Sequence, residues 1–141
     1  MSVRQFQAMR SNYRTWGNSR ITPAYAYHTI SDRLGRLAEC LLNGDTSSMP
    51  PLLGGLAILT VDLADLEGIM MFDRTFAEGG PVGIMLHYPL PSFLALIAEY
   101  GALSGNMSID TIHRAWAQLV STANVLGFDI WSAVDSVWGY L

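Results

Sequence analysis

The chain reads as all-α: a bundle of about six helices forming a single helical domain over residues 1–141. Three observations predict this. Apolar residues recur at spacings of three and four through six segments, the period of one helix face. Residues suited to starting and stopping helices bracket those segments. No comparably clear strand alternation or hairpin turn is present.

The first helix is expected to start after Ser2, a good N-cap. Phe6, Met9, Tyr13 and Trp16 mark its apolar face, and Gly17, Asn18 and Ser19 end it. Thr22 and Pro23 open the second helix, proline being favoured at the first helical position. Its stripe is Tyr27, Ile30, Leu34, Leu37 and Leu41, and Asn43–Gly44 stops it. Asp45 to Pro51 reads as a loop. The third helix is expected from about Leu52 into the 70s. Leu52, Leu56, Leu59, Leu63, Leu66 and Met70 form a seam suited to side-by-side packing. Ile58, Ile69, Phe72 and Phe76 lie on an adjoining stripe, so this helix should be central. Glycines 54, 55 and 68 lower its helix propensity by roughly 1 kcal/mol each if exposed and permit close helix contact.

Ala77 to Pro91 is irregular, with three glycines, three prolines and His87–Tyr88. Ser92 is the expected cap of a fourth helix bearing Phe93, Leu96, Ile97, Tyr100 and Leu103. Ser108 caps a fifth, with Ile109, Ile112, Trp116, Leu119, Ala123 and Leu126 before Gly127. Asp129 caps a last helix bearing Ile130, Val134, Val137 and Leu141. Trp131 and Trp138 lie beside that stripe and would form a partner surface if nothing local covers them. Residues 1–78 and 89–141 echo each other across a linker at 79–88. Ala64-Asp65-Leu66-Glu67-Gly68 aligns with Ala123-Asn124-Val125-Leu126-Gly127. A duplication and shared amphipathic patterning both account for the echo.

Half of the 141 residues are hydrophobic and 14% are charged, which excludes a disordered chain. The charge-free run Pro50 to Val61 is short for a membrane span, and Gly79 to Ala98 is interrupted by prolines. Neither a membrane segment nor a targeting segment is expected. The single cysteine, Cys40, excludes an internal disulfide and a multi-cysteine zinc site. It is expected as a small buried hydrophobe in a reducing, cytoplasmic setting. Net charge is −4, which argues against nucleic acid as the main partner. Residues 1–31 carry Arg4, Arg10, Arg14 and Arg20 and no acid, whereas the remainder carries four arginines and twelve acids. That asymmetry fits internal charge pairing, a neighbouring subunit's acids or an anionic ligand.

The residues that could carry chemistry lie on the second and third helices. Asp62 and Asp65 are three apart and share a helix face. With an acid from a neighbouring helix they could hold Mg²⁺, which takes oxygen ligands. The alternatives are pairing with an arginine such as Arg36, or a surface position. His28, His87 and His113 show no metal-ligand spacing and are expected half-buried or at the surface. No GxSxG and no phosphate-loop sequence occurs.

Arg33-Leu34-Gly35-Arg36-Leu37-Ala38-Glu39-Cys40-Leu41-Leu42, followed by Asp62-Leu63-Ala64-Asp65, resembles the MazG-like all-α nucleoside triphosphate pyrophosphohydrolases. Arg14-Thr15-Trp16 and Leu126-Gly127-Phe128-Asp129-Ile130 are similar to the ends of such chains. The resemblance implies Mg²⁺ held by acids of an EExxE helix and an ExxD helix, a nucleoside triphosphate as substrate, and homo-oligomers. Residue by residue, EExxE falls on Asp32, Arg33 and Arg36, and only Asp32 keeps a carboxylate. Glu39 matches a further acid, and ExxD falls on Asp62 and Asp65. In another register it falls on Gly55 and Ile58. Asp32 and Glu39 are about 10 Å apart along a helix axis at ~1.5 Å per residue, far for one ion. The implied metal residues are therefore Asp32, Glu39, Asp62 and Asp65, in a degraded site. Arg10, Arg14, Arg33 and Arg36 are the candidate ligand-binding residues. Three readings follow: a protein that binds a nucleotide or an acidic protein partner without efficient turnover, a Mg²⁺-dependent pyrophosphohydrolase, and a structural or inhibitory interaction module.

Overall fold

A computed structural model describes residues 1–17, 20–74 and 87–139. Among these residues there are six helices and no strand. They are α1 (Val3–Trp16), α2 (Pro23–Asn43), α3 (Met49–Leu66), α4 (Pro89–Gly105), α5 (Ile109–Val125) and α6 (Ile130–Val137). The all-α expectation is met. Most of the linker expected at 79–88, together with Phe76 and Leu141, lies outside the described residues.

The expected caps at four helix starts are made. Ser2 and Gln5 form a reciprocal capping box on α1, and Ser108 and Thr111 form one on α5. Thr22 accepts from the Tyr25 amide, and Asp129 accepts from the Ser132 amide. Gly44 ends α2 in the left-handed conformation at φ 67°.

The bounds of α3 and α4 differ from expectation. α3 starts earlier, at Met49, because prolines in a first turn cost no helical hydrogen bond. It also ends at Leu66 rather than in the 70s. There Gly68 turns left-handed at φ 71°, and the Ile69 amide bonds back to the Ala64 carbonyl at 2.9 Å. Gly127 ends α5 in the same way, at φ 91°, with the Phe128 amide on the Ala123 carbonyl at 2.8 Å. The string shared by the two halves is thus one helix-ending motif made twice. α4 begins at Pro89 with Tyr88 as its N-cap. Ser92, expected as that cap, is buried instead, and its hydroxyl meets Thr122 of α5 at 3.0 Å.

α3 is the hub, packing against α1, α2, α5 and α6. α4 lies on α5 and touches α2. By length and composition alone α3 could cross a membrane, yet most of it is buried among the other helices. Leu53, Leu56, Ala57, Val61, Leu63 and Ala64 have no exposure, whereas Leu66 and Met70, the far end of the expected seam, face outward. α3 and α6 cross very closely at Gly54. A Cβ there would lie 2.2 Å from the Ala133 carbonyl oxygen, so only glycine fits the crossing.

Beyond α3, residues 69–74 form a non-helical strap against α1 and α5. The buried Gln7 side chain imitates a peptide group. Its Nε2 donates to the Ile69 carbonyl and its Oε1 accepts from the Met71 amide, both at 2.7 Å. Met71 is fully buried. The Phe72 amide donates to His113 Nε2 at 3.0 Å. A backbone amide only donates, so Nε2 is the acceptor. The ring proton therefore sits on Nδ1, which donates to the Ile109 carbonyl at 2.6 Å.

Candidate functional site

Val3, Phe6, Gln7, Arg10 and Arg14 form the buried face of α1. The expected face fails at its far end. Tyr13 is exposed, and Trp16 is 88% exposed. The helix instead turns two arginines inward, one turn apart, onto the face of α3 that carries Asp62 and Asp65. Arg10 and Arg14 are each 8% exposed and Asp62 is 2% exposed.

The contacts are charge-assisted throughout. Arg10 grips Asp62 with both prongs, Nε to Oδ1 at 3.0 Å and Nη2 to Oδ2 at 2.7 Å. Arg14 bridges the two aspartates, Nη1 donating to Asp62 Oδ1 and Nη2 to Asp65 Oδ2. The four formal charges cancel, as buried charges must. Above the pair, the Arg10 guanidinium lies 4.8 Å from the Trp138 ring centre and 5.2 Å from that of Tyr13. Trp138 is itself buried. Phe6 packs against Trp116, Trp131 and Trp138, with the Trp131 contact edge-on at 5.4 Å. Trp131 and Trp138 thus have local cover and do not make the partner surface that the sequence left open.

Arg36, one arginine that the sequence offered as a partner for these aspartates, is elsewhere. Asp32, Arg33 and Arg36 form a separate cluster on α2. Arg33 Nη1 and Arg36 Nε donate to Asp32 Oδ2 at 2.8 and 3.0 Å. Arg36 is exposed, while Arg33 is half-buried and its side chain passes beside Gly55 of α3. Glu39 is exposed. Among the described residues no three histidine, cysteine or acidic side chains gather as they would around a metal.

This arrangement does not fit Mg²⁺. Both oxygens of Asp62 and one of Asp65 already accept from guanidinium groups, and a cation brought there would be repelled by two others. Asp32 and Glu39 stand apart from that pair.

Other chemistry-bearing groups serve the scaffold. Burial, then the charges of Asp45 and Glu39, pushes the Cys40 thiol up, away from the reactive thiolate. Thr60 donates to the Leu56 carbonyl at 2.6 Å, so its oxygen is left to accept the Tyr100 hydroxyl proton at 2.7 Å, tying α3 to α4. Burial pushes the Tyr100 hydroxyl far up, with the Thr60 bond opposing it weakly. His28 and His87 are exposed, and His113, expected half-buried or at the surface, is buried in the strap contact. In the second half, Glu99 accepts from Arg114 at 3.4 Å on the surface and Thr111 serves the α5 cap.

Sequence reading found Asp62 and Asp65 but missed that Arg10 and Arg14 neutralise them. The signal was present: Val3, Phe6, Arg10 and Arg14 follow helical spacing, so a stripe with two cations on it pointed inward. Comparison with protein-family models, with curated proteins and with solved structures returned no match.

Proposed function

We propose that this protein acts by binding an acidic protein surface and does not turn over nucleotides. The observation that carries this reading is the closed Arg10–Asp62–Arg14–Asp65 cluster. The α3 acids that a metal-dependent hydrolase would need are already neutralised in the interior. Two of the four candidate ligand-binding arginines are spent with them. The likeness to MazG-like pyrophosphohydrolases then describes a scaffold whose metal chemistry has been replaced by internal ion pairs. It rests on the motif residues of α2 and α3.

Of the remaining candidate arginines, Arg36 is exposed and Arg33 is half-buried. Each donates to Asp32 through one nitrogen and carries further N–H donors. Asp32 between them repels a phosphate, whereas a protein surface of mixed charge can meet both signs. This favours a protein partner over a nucleotide.

Two measurements test the reading. Pyrophosphate release from canonical nucleoside triphosphates with Mg²⁺ is expected at background. Titration with a glutamate-rich peptide that also carries lysines is expected to show salt-sensitive binding that Arg33→Ala with Arg36→Ala removes. Mg²⁺-dependent turnover abolished by Asp62→Ala would refute the reading and restore the hydrolase. Equal peptide binding by the double variant would remove α2 as the contact.

A further inference from the structure

α4 is apolar on both sides. Its inner face buries Ser92, Phe93, Leu96, Tyr100 and Leu103 against the body. Its outer face carries Leu90, Leu94 and Ile97, which are 60%, 55% and 41% exposed, and then Gly101, also exposed. These four follow a 4-3-4 spacing, the seam of two helices packed side by side. Glu99, the single charged residue of α4, lies half a helical turn away from the seam and meets Arg114. Isolated exposed leucines are ordinary. A continuous uncharged stripe on a helix that is also apolar inside is characteristic of a helix covered on both faces.

The order of side chains along the seam indicates the cover. A twofold axis passing between residues 95 and 96 sets residue 90 opposite 101 and residue 94 opposite 97. Leu90 then meets Gly101, where an added Cβ would touch nothing within 4 Å. Leu94 meets Ile97. Large faces small at both ends and branched chains meet at the centre, so the stripe complements itself when antiparallel. Two chains of net charge −4 repel each other, and the stripe itself adds no charged side chain to that repulsion.

We infer that α4 is a self-association surface, pairing antiparallel with α4 of a second copy through Leu90, Leu94, Ile97 and Gly101. The pairing goes beyond the binding role proposed for α2 and stands whether or not that role holds.

Sedimentation of the full chain tests it. The expected mass is twice the 15.5 kDa of one chain, falling to one chain on dilution. Leu94→Lys and Ile97→Glu should each give monomers, because the lone charge would be buried opposite an apolar side chain. An equimolar mixture should recover dimers, since 94 of one chain faces 97 of the other. Both positions are exposed, so circular dichroism should show each variant folded. If either misfolds, Leu90→Lys mixed with Gly101→Glu asks the same question. A wild-type chain that stays monomeric at every concentration overturns the inference. So do single variants that remain dimeric, or a mixture that stays monomeric.

Discussion

Replacing Asp62 with asparagine is the sharpest test of the interior cluster. The side chain keeps its size but loses its charge, leaving two buried guanidinium groups with Asp65 as the one remaining carboxylate of the cluster. Asp65 is itself one-third exposed at the side chain and, among the described residues, is paired with Arg14. Removing one member of a buried ion pair costs about 3–5 kcal/mol, because the abandoned charge stays desolvated. At roughly 3–4 °C per kcal/mol for a domain of this size, the melting temperature should fall by about 10–20 °C. Thermal and urea unfolding followed by circular dichroism measure both quantities. A companion variant separates charge from packing. Asp62→Leu with Arg10→Met and Arg14→Leu removes most of the cluster together and should cost clearly less than the sum of the single changes, since no cation is left stranded. An Asp62→Asn cost below about 1 kcal/mol, the range of surface pairs, would refute the reasoning.

The other predictions concern contacts between the helices. Gly54→Ala should destabilise by about 1–3 kcal/mol or more, as overpacking does, whereas Gly55→Ala, whose Cβ would meet only the Arg33 side chain at 3.6 Å, should be neutral or stabilising in the same urea titration. Thr60→Val should cost more than Tyr100→Phe. The first strands a buried Tyr100 hydroxyl at about 1–3 kcal/mol, while the second leaves Thr60 still bonded to Leu56 and forfeits about 1 kcal/mol. The Ser48 and Ser47 bonds to Asp45, and the Arg74 bond to Asp110, hold these two carboxyls below their ordinary value of 3.8. The contribution is therefore complete above that pH and disappears as pH falls through the lowered values. Urea midpoints should drop less steeply below about pH 4 in Asp45→Asn with Asp110→Asn than in the wild type. An equally steep drop would assign the acid loss to other carboxylates.

Local rules made much of the fold legible. Ser2, Thr22, Ser108 and Asp129 act within one helical turn, so their effect is visible without the tertiary structure. The same holds for Gly44 and Gly127, where a left-handed residue ends a helix. Errors arose where a local rule met a long-range contact. Gly68 was read as a small residue inside a helix, because the apolar spacing ran on through Met70, Phe72 and beyond. In the structure the spacing continues by coincidence, and the non-helical strap is held by Gln7 and His113, which are 62 and 41 residues away from their strap partners. Ser92 looked like a cap but serves a buried contact to α5 thirty residues on. Those partners could not be assigned from spacing on a single helix.

The candidate site shows the same division more consequentially. Asp62 and Asp65 were visible because three-residue spacing guarantees a shared face. Their chemistry was not, because it depends on which cation reaches them. Arg36 was close in sequence and already one turn from Asp32, whereas Arg10 and Arg14 lay 52 and 48 residues from Asp62. What decides between metal and arginine is burial. At the surface an aspartate pair tolerates water and loosely held ions. In the interior, Asp62 must be compensated by a permanent charge with good geometry. An arginine fork supplies this on folding, with no dependence on dissolved cation. Once α1 has brought two such forks onto α3, a divalent ion would have to displace both of them and leave two cations stranded. The cluster is therefore a fixed part of the core, and the surfaces proposed for binding lie elsewhere, on α2 and α4.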